Sequence, residues 1–495
     1  MAEISLSPVA RGETDIFIEP SMANRHGLIA GATGTGKTVT LRVLVEQFSS
    51  MGIPIFLPDI KGDLSGLCTP GGGNKKIEER AALLNIAGFS YQGYPVRYWD
   101  LYGRDGHPVR TTISEMGPML LSRILDLNET QSGILSMLFR YADDHHLLLI
   151  DIADLISLIT FALENTAEIK GKYGNMTPSS LGAIQRSILT LEEQGADLFF
   201  GEPSLVLGDI MEVKDGKGTI NLLSAGALMK YPKIYSTFLL WLLSELYEDL
   251  PEVGDMVKPK FLLFFDEAHL LFSDTPKALE EKIIQIVRLI RSKGVGVYFI
   301  TQNPADIPDD VLGQLGNRIQ HALRATTPKE MKAVKTAAKS FRQNPKIDTE
   351  KVITELGIGE ALVSVLDTGG VPTPVDRAFV YPPHSTLAPL TPEELQTQIK
   401  NSTVYGKYEE QINRRSAAEI LAEHEKEKET ILPPVTTQRT SKPTPVRKTR
   451  TRTTRRQKDV GDVIGTIAVR TVTNVGTQIG KEIVRGMLGS WLKGK

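Results

Sequence analysis

The chain has 495 residues, 41% of them hydrophobic, with 57 Lys and Arg against 59 Asp and Glu and a single cysteine. That composition suits roughly two to four globular domains at about 150 residues each; it excludes an internal disulfide, and a net charge of −2 gives no global signature of a nucleic-acid binder. No uncharged apolar run approaches the ~18 residues a membrane helix needs, and the N-terminus lacks the basic, apolar and small-residue order of a signal peptide, so a cytoplasmic protein with no integral membrane segment is expected.

After a short N-terminal segment (1–20), short apolar runs alternate with helical stretches, the pattern of an α/β fold with a mainly parallel sheet. Strands are expected at Gly27–Ala30, Ile53–Pro58, Val96–Trp99, Gly218–Leu223, Phe261–Phe265, Gly296–Thr301, Ile319–Arg324 and Ala361–Leu366. From Thr112 to about Leu207 the pattern turns helical, as in Gly117–Leu125, Glu129–His145 and Ile152–Glu164. The expected organisation is therefore a core in two parts (21–111 and 211–383) split by a helical insertion (112–210), then a charged helical region (384–430). A basic linker (431–459) carries nine Lys and Arg between Arg439 and Lys458 without an acid, so the rest of the chain is at −11. Its Thr- and Pro-rich composition has no apolar period and reads as disordered. A Gly-rich tail (460–495) spaces Val463, Ile467, Val472, Val475, Ile479, Ile483 and Met487 mostly three or four apart, an amphipathic pattern suited to docking on a partner protein, on the chain itself or on a membrane surface.

Gly31-Ala32-Thr33-Gly34-Thr35-Gly36-Lys37-Thr38 fits G-x-x-x-x-G-K-[ST] at every position. Phosphate needs many donors close together, and glycines let backbone N–H groups approach without side-chain clash. The apolar run before Gly31 suits a buried strand, and Val39 begins a helix whose N-terminus would face the phosphates. Lys37 is expected on the β- and γ-phosphates and Thr38 on Mg2+. The strand Phe261–Phe265 ends in Asp266 and Glu267: Asp266 is a second Mg2+ candidate and Glu267 the base that orients water. Val295–Ile300 ends in Thr301-Gln302-Asn303-Pro304, where Gln302 is placed to sense the γ-phosphate. Asn74-Lys75-Lys76-Ile77 begins like a guanine motif but lacks its Asp, which favours ATP over GTP. Asp266-Glu267-Ala268-His269 also spells one helicase-superfamily signature, but its distance from Lys37 is too long for that arrangement. The loop Asp59–Asp63 either lines the nucleotide site or is an Asp-stabilised turn.

Together with Asp59-Ile60-Lys61-Gly62-Asp63, Gly357–Val363 and Pro374-Val375-Asp376-Arg377, these motifs resemble the HerA/FtsK branch of P-loop ATPases, most of all the stand-alone bacterial HerA-like (YjgR-like) proteins. The resemblance implies a RecA-like core with a catalytic glutamate and a homo-oligomeric, usually hexameric, ring in which a neighbour supplies an arginine. Arg288, Arg291, Arg318 and Arg324 are the candidates, with Arg318 preferred. It also implies a DNA translocase or helicase; an ATPase acting on proteins and a slow ATP-dependent switch or scaffold are the alternatives. HerA-type translocases carry a β-barrel before the P-loop, and thirty residues before Gly31 are too few for one. The basic linker suits sequence-independent, salt-sensitive contact with DNA.

Overall fold

The computed structural model describes residues 6–254, 256–273 and 277–431. Apart from Ile431, the expected basic linker and Gly-rich tail lie outside the described residues.

In chain order the strands are β1 (Ala10–Arg11), β2 (Asp15–Ile16), β3 (Gly27–Ala30), β4 (Ile55–Asp59), β5 (Val96–Asp100), β6 (His107–Pro108), β7 (Val213–Lys214), β8 (Lys217–Gly218), β9 (Ile220–Ser224), β10 (Phe261–Phe265), β11 (Val295–Thr301), β12 (Asn317–Gln320), β13 (Glu360–Ser364) and β14 (Asp376–Val380). Twelve of them form one sheet in the order β2-β1-β14-β13-β12-β3-β11-β10-β4-β9-β5-β6. From β12 to β6 every neighbour pair is parallel. Beyond β12 the sheet turns antiparallel through β13, β14, β1 and β2.

The central strands are apolar throughout because both faces are covered, as a parallel sheet requires. In β10, Phe261, Leu263 and Phe265 enter one core cluster, and Leu262 and Phe264 the opposite one. β11 does the same, with Val295, Val297 and Phe299 on one face and Tyr298 and Ile300 on the other. This is the period-two alternation of a strand with no solvent face. The helix α1 (Lys37–Ser50) covers the second face through Leu41, Val43, Leu44 and Phe48. The helices Pro232–Asp249 and Lys277–Leu289 cover the first.

Between β6 and β7 the chain forms helices at Ile113–Ile124, Glu129–Asp144, Ile152–Glu164, Thr166–Tyr173 and Pro178–Glu193. Capping boxes at Thr112/Glu115, Asn128/Gln131 and Asp151/Asp154 set three of the starts. The first begins earlier than the apolar pattern suggests: Gly117 (φ 69°, ψ 163°) and Pro118 break it, and the turn before them is held by the Thr112 cap.

Beyond β14 the chain crosses the sheet's parallel end to reach these helices. Glu46 of α1, fully buried, accepts from the His384 and Ser385 N–H groups at 2.7 and 3.0 Å and from Ser385 Oγ at 2.5 Å. Arg42, one turn earlier, donates to Ser385 Oγ, Thr386 O and Asp63 O. After the helix Pro392–Lys400 comes an irregular stretch rather than continued helix, because Tyr408 is drawn inward. It is fully buried, edge-on to Trp99, and its hydroxyl pairs with Asp209. The helix Ala417–Ile431 is then anchored by Asp154, which accepts from Ser416 Oγ at 2.6 Å and Ala418 N at 2.8 Å.

Removing the Glu46 carboxylate leaves the His384 and Ser385 N–H groups without their acceptor and takes away a charge that favours the Arg42 guanidinium. Glu46→Ala is therefore expected to cost roughly 2–4 kcal/mol, read as a lowered urea midpoint; a loss below about 0.5 kcal/mol would show that this crossing is not held by Glu46.

Candidate nucleotide site

Parallel pairing places the site. Thr301 of β11 stands beside Ala30 of β3, and Phe265 of β10 beside Phe299 of β11. The residues that follow these strand ends, Gly31, Gln302 and Asp266, therefore emerge on one edge of the sheet.

The loop Gly31–Gly36 rises from β3 and returns into α1 at Lys37. Gly34 (φ 79°) and Gly36 (φ 116°) take left-handed conformations that a side chain would resist. A Cβ at Gly34 would meet nothing within 4 Å, so the loop's open side can admit a ligand. A Cβ at Gly31 would stand 2.6 Å from the His321 Cβ, so glycine is required there by packing. Thr35 is buried with its hydroxyl donating to Ala32 O at 2.7 Å, which stiffens the arch. Lys37 donates through Nζ to Gly31 O at 2.6 Å and Ala32 O at 3.0 Å, and burial lowers its pKa. Thr38 and Val39 lie half-buried in the first turn of α1.

Asp266 and Glu267 follow β10 with Glu267 in a left-handed conformation (φ 48°), unusual for a residue with a side chain. The turn is held from several sides. Asp266 Oδ1 accepts from Glu267 N at 2.9 Å, Tyr235 Oη donates to Asp266 O at 2.7 Å, and Ala268 N donates to Ile300 O at 2.9 Å. Burial, then the charge of Glu267, raises Asp266 to about 6. Lys61 and Lys37 oppose that rise, so Lys61 of the Asp59–Asp63 loop sits in the field of the site. Asp59 itself is a buried turn-former, accepting from Gly62 N at 2.8 Å and Leu64 N at 3.0 Å. Gln302 Nε2 donates to Glu267 Oε1 at 3.0 Å, and Thr33 Oγ1 donates to Gln302 Oε1 at 3.1 Å. The structure thus joins the phosphate loop, the carboxylate and the strand-end glutamine directly.

Arg318, the preferred arginine, is half-buried. Its guanidinium is engaged inside its own chain, Nε with Leu315 O at 2.8 Å, Nη1 with Ser340 O at 2.5 Å and Nη2 with Leu312 O at 2.6 Å. These bonds tie β12 to the segments around it. Arg288 and Arg324 are exposed, and Arg291 is half-buried. Arg324 lines a cleft of about 420 Å³ with Thr33, Gly34, Thr35, Leu323 and Ile358, beside this chain's own phosphate loop.

The sequence reading passed over His321, a lone histidine just past β12. It is fully buried between the phosphate loop and β13. Its Nδ1 faces Glu360 O at 2.8 Å and must donate, so its Nε2, 2.8 Å from Thr40 Oγ1, accepts from that hydroxyl. Gly359 N completes the lock by donating to Thr35 O at 3.0 Å.

A phosphate loop opening α1, an acidic pair after the neighbouring-but-one strand and a polar strand end between them define a P-loop NTPase core. The chain belongs to the HerA-like helicase C-terminal family, whose model matches residues 5–495. It is 21% identical over 374 residues to the DNA double-strand break repair helicase HerA of Sulfolobus acidocaldarius, covering 73% of this chain and 66% of that protein. It is 22% identical over 364 residues to a probable helicase of Methanocaldococcus jannaschii, covering 72% and 63%. The match thus spans less than two thirds of the length of these relatives. Among solved structures, VirB4 of Thermoanaerobacter pseudethanolicus shares the fold at a TM-score of 0.50 and 13% identity, over 77% of this chain and 97% of that one. The bacterial conjugative coupling protein TrwBdeltaN70 does so at 0.51 and 13%, over 77% and 91%.

Burial lowers His321 to about 4. Between that value and the ordinary 6.5 the unfolded chain takes up a proton that the folded chain refuses, so His321 removes stability as pH falls through this window, by about 3 kcal/mol in full. Asp59 and Asp266, both raised to about 6, act in the opposite sense. A comparison of wild type with His321→Gln cancels them: the stability difference between the two is expected to shrink by about 3 kcal/mol from pH 7 to pH 4, and parallel pH profiles would contradict this.

Proposed function

We propose that the chain is a Mg2+-dependent ATPase that assembles into a homo-oligomeric, hexameric ring in the cytoplasm and moves along or remodels duplex DNA. The observation that carries the ATPase reading is the direct hydrogen-bonded path from the phosphate loop through Gln302 to Glu267. ATP would lie along Gly31–Val39 with its phosphates on the backbone N–H groups at the start of α1. Lys37 has three N–H donors and uses two on loop carbonyls, bonds it can exchange for phosphate oxygens.

Thr38 and Asp266 would hold a magnesium ion: burial, then its acidic neighbour, keeps Asp266 above its ordinary range, and a cation beside it would favour its charged form. Bound there, the ion would supply charge neutralisation to the phosphates. Glu267 Oε2 is buried and makes no hydrogen bond among the described residues, which leaves one carboxylate oxygen to orient the attacking water. Gln302 would report the presence of the γ-phosphate. With Arg318 engaged in its own chain, exposed Arg288 is the better arginine to complete a neighbour's site.

The DNA reading is supported by membership in a helicase family and by the nine-residue basic charge of 439–458. It predicts that purified protein hydrolyses ATP severalfold faster with double-stranded DNA at low salt, and that the stimulation fades as salt rises. Turnover indifferent to DNA but raised by peptides would instead assign the motor to protein substrates, and turnover indifferent to both would assign a switch.

A further inference from the structure

Thr33 stands at the exposed crest of the phosphate loop, where the loop's own contribution is backbone N–H. Its side chain does something else: Oγ1 donates to Gln302 Oε1 at 3.1 Å while Gln302 Nε2 donates to Glu267 Oε1 at 3.0 Å. The order of donors is set by chemistry. A carboxylate only accepts, so the amide nitrogen must face Glu267, and the amide oxygen is left for the threonine hydrogen. Glu267 is thereby asymmetric. Oε1 is tied through two hydrogen bonds to the phosphate loop, and Oε2 makes no hydrogen bond among the described residues, with His269 Nδ1 3.4 Å away. Its left-handed backbone, pinned by Tyr235, leaves the side chain as the part that can move.

We propose that Thr33 and Gln302 form a tether that holds Glu267 Oε1 to the phosphate loop and that competes, in the ATP complex, with a γ-phosphate that draws the Gln302 amide away. The proposal rests on the ATPase reading and deepens it: Thr33 is a positioning residue that acts through Gln302. A terminal phosphate bound on this loop offers anionic oxygens to the Gln302 amide N–H. Rotation of the Gln302 side chain exchanges that acceptor and breaks its bond to Thr33, so Oε1 is freed and the carboxylate can reorient toward water. No covalent bond changes, and the Thr33 hydrogen bond sets how far the ATP complex stays on the tethered side. A nucleoside diphosphate, lacking the terminal group, leaves the tether closed.

The test is kcat and KM for ATP in wild type, Thr33→Val and Thr33→Ser. Valine keeps the β-branch and the loop N–H but removes the donor; Thr33 is exposed, so the variant is expected to unfold at the wild-type midpoint. Thr33→Val should raise kcat about three- to tenfold, the effect of one lost hydrogen bond, with KM within about twofold. Thr33→Ser should retain the wild-type rate, and Glu267→Gln should silence the Thr33→Val background. An unchanged or lowered kcat in Thr33→Val, or a serine variant that matches the valine one, overturns the tether and leaves the ATPase reading standing. A wild-type protein that binds but does not hydrolyse ATP removes that reading, and the tether falls with it.

Discussion

Everything at the site depends on the parallel register of β3, β11 and β10. Three strands running the same way, with Thr301 level with Ala30 and Phe299 level with Phe265, must release their next residues on one edge. A phosphate loop 269 residues from the glutamine in sequence, and an acidic pair 35 residues from it, become neighbours without any of them contributing to the pairing. The cost falls on the strands, which need both faces covered, and the alternating allocation of Phe261 through Phe265 to two core clusters is how the sequence meets it.

The phosphate loop is fixed from the antiparallel side of the sheet as firmly as from the parallel side. His321 joins α1 to β13 through a single tautomer, and Gly359 N holds the carbonyl of Thr35. The loop before β13 is in turn gripped by Arg80, which donates to the carbonyls of Ile358 and Gly359, and by Glu360, which pairs with Arg377 at 2.6 Å. The carboxylate side is held differently. Arg123, buried in the helix Ile113–Ile124, reaches the Leu270 and Leu271 carbonyls just past Glu267. The helices between β6 and β7 therefore contact the turn that carries the proposed base. A rigid phosphate side and an acidic turn tied to a separate helical layer suit the proposed ATPase, whose chemistry would respond to movement elsewhere.

Eight strands were legible because most are apolar or β-branched runs bounded by turns; the polar β12 (Asn317–Gln320) starts two residues before the expected Ile319–Arg324. The two margins of the sheet were not: β1, β2 and β6 are two residues each, and β14 begins with Asp376-Arg377, so neither length nor hydropathy marks them. The phosphate loop could be read residue by residue because its chemistry is local. Glu267 and Gln302 could be placed by reasoning about adjacent strand ends, yet their hydrogen bond and the part played by Thr33 depend on side-chain reach across the sheet edge. The hold on Arg318 was not legible because its carbonyl partners at Leu312, Leu315 and Ser340 carry no side-chain signal. His321 was passed over for a similar reason: one of its two partners is a backbone oxygen, and its burial follows from packing under the loop rather than from any motif.

The most direct test of the account separates binding from chemistry at Glu267. Calorimetric titration of ATP with Mg2+ into wild type and Glu267→Gln, beside single-turnover hydrolysis on the same preparations, should give comparable affinities in the two proteins and a chemical step at least about a hundredfold slower in the variant. A variant that loses ATP binding, or one that binds and hydrolyses as the wild type does, would contradict the assignment of Glu267 as the residue that orients water.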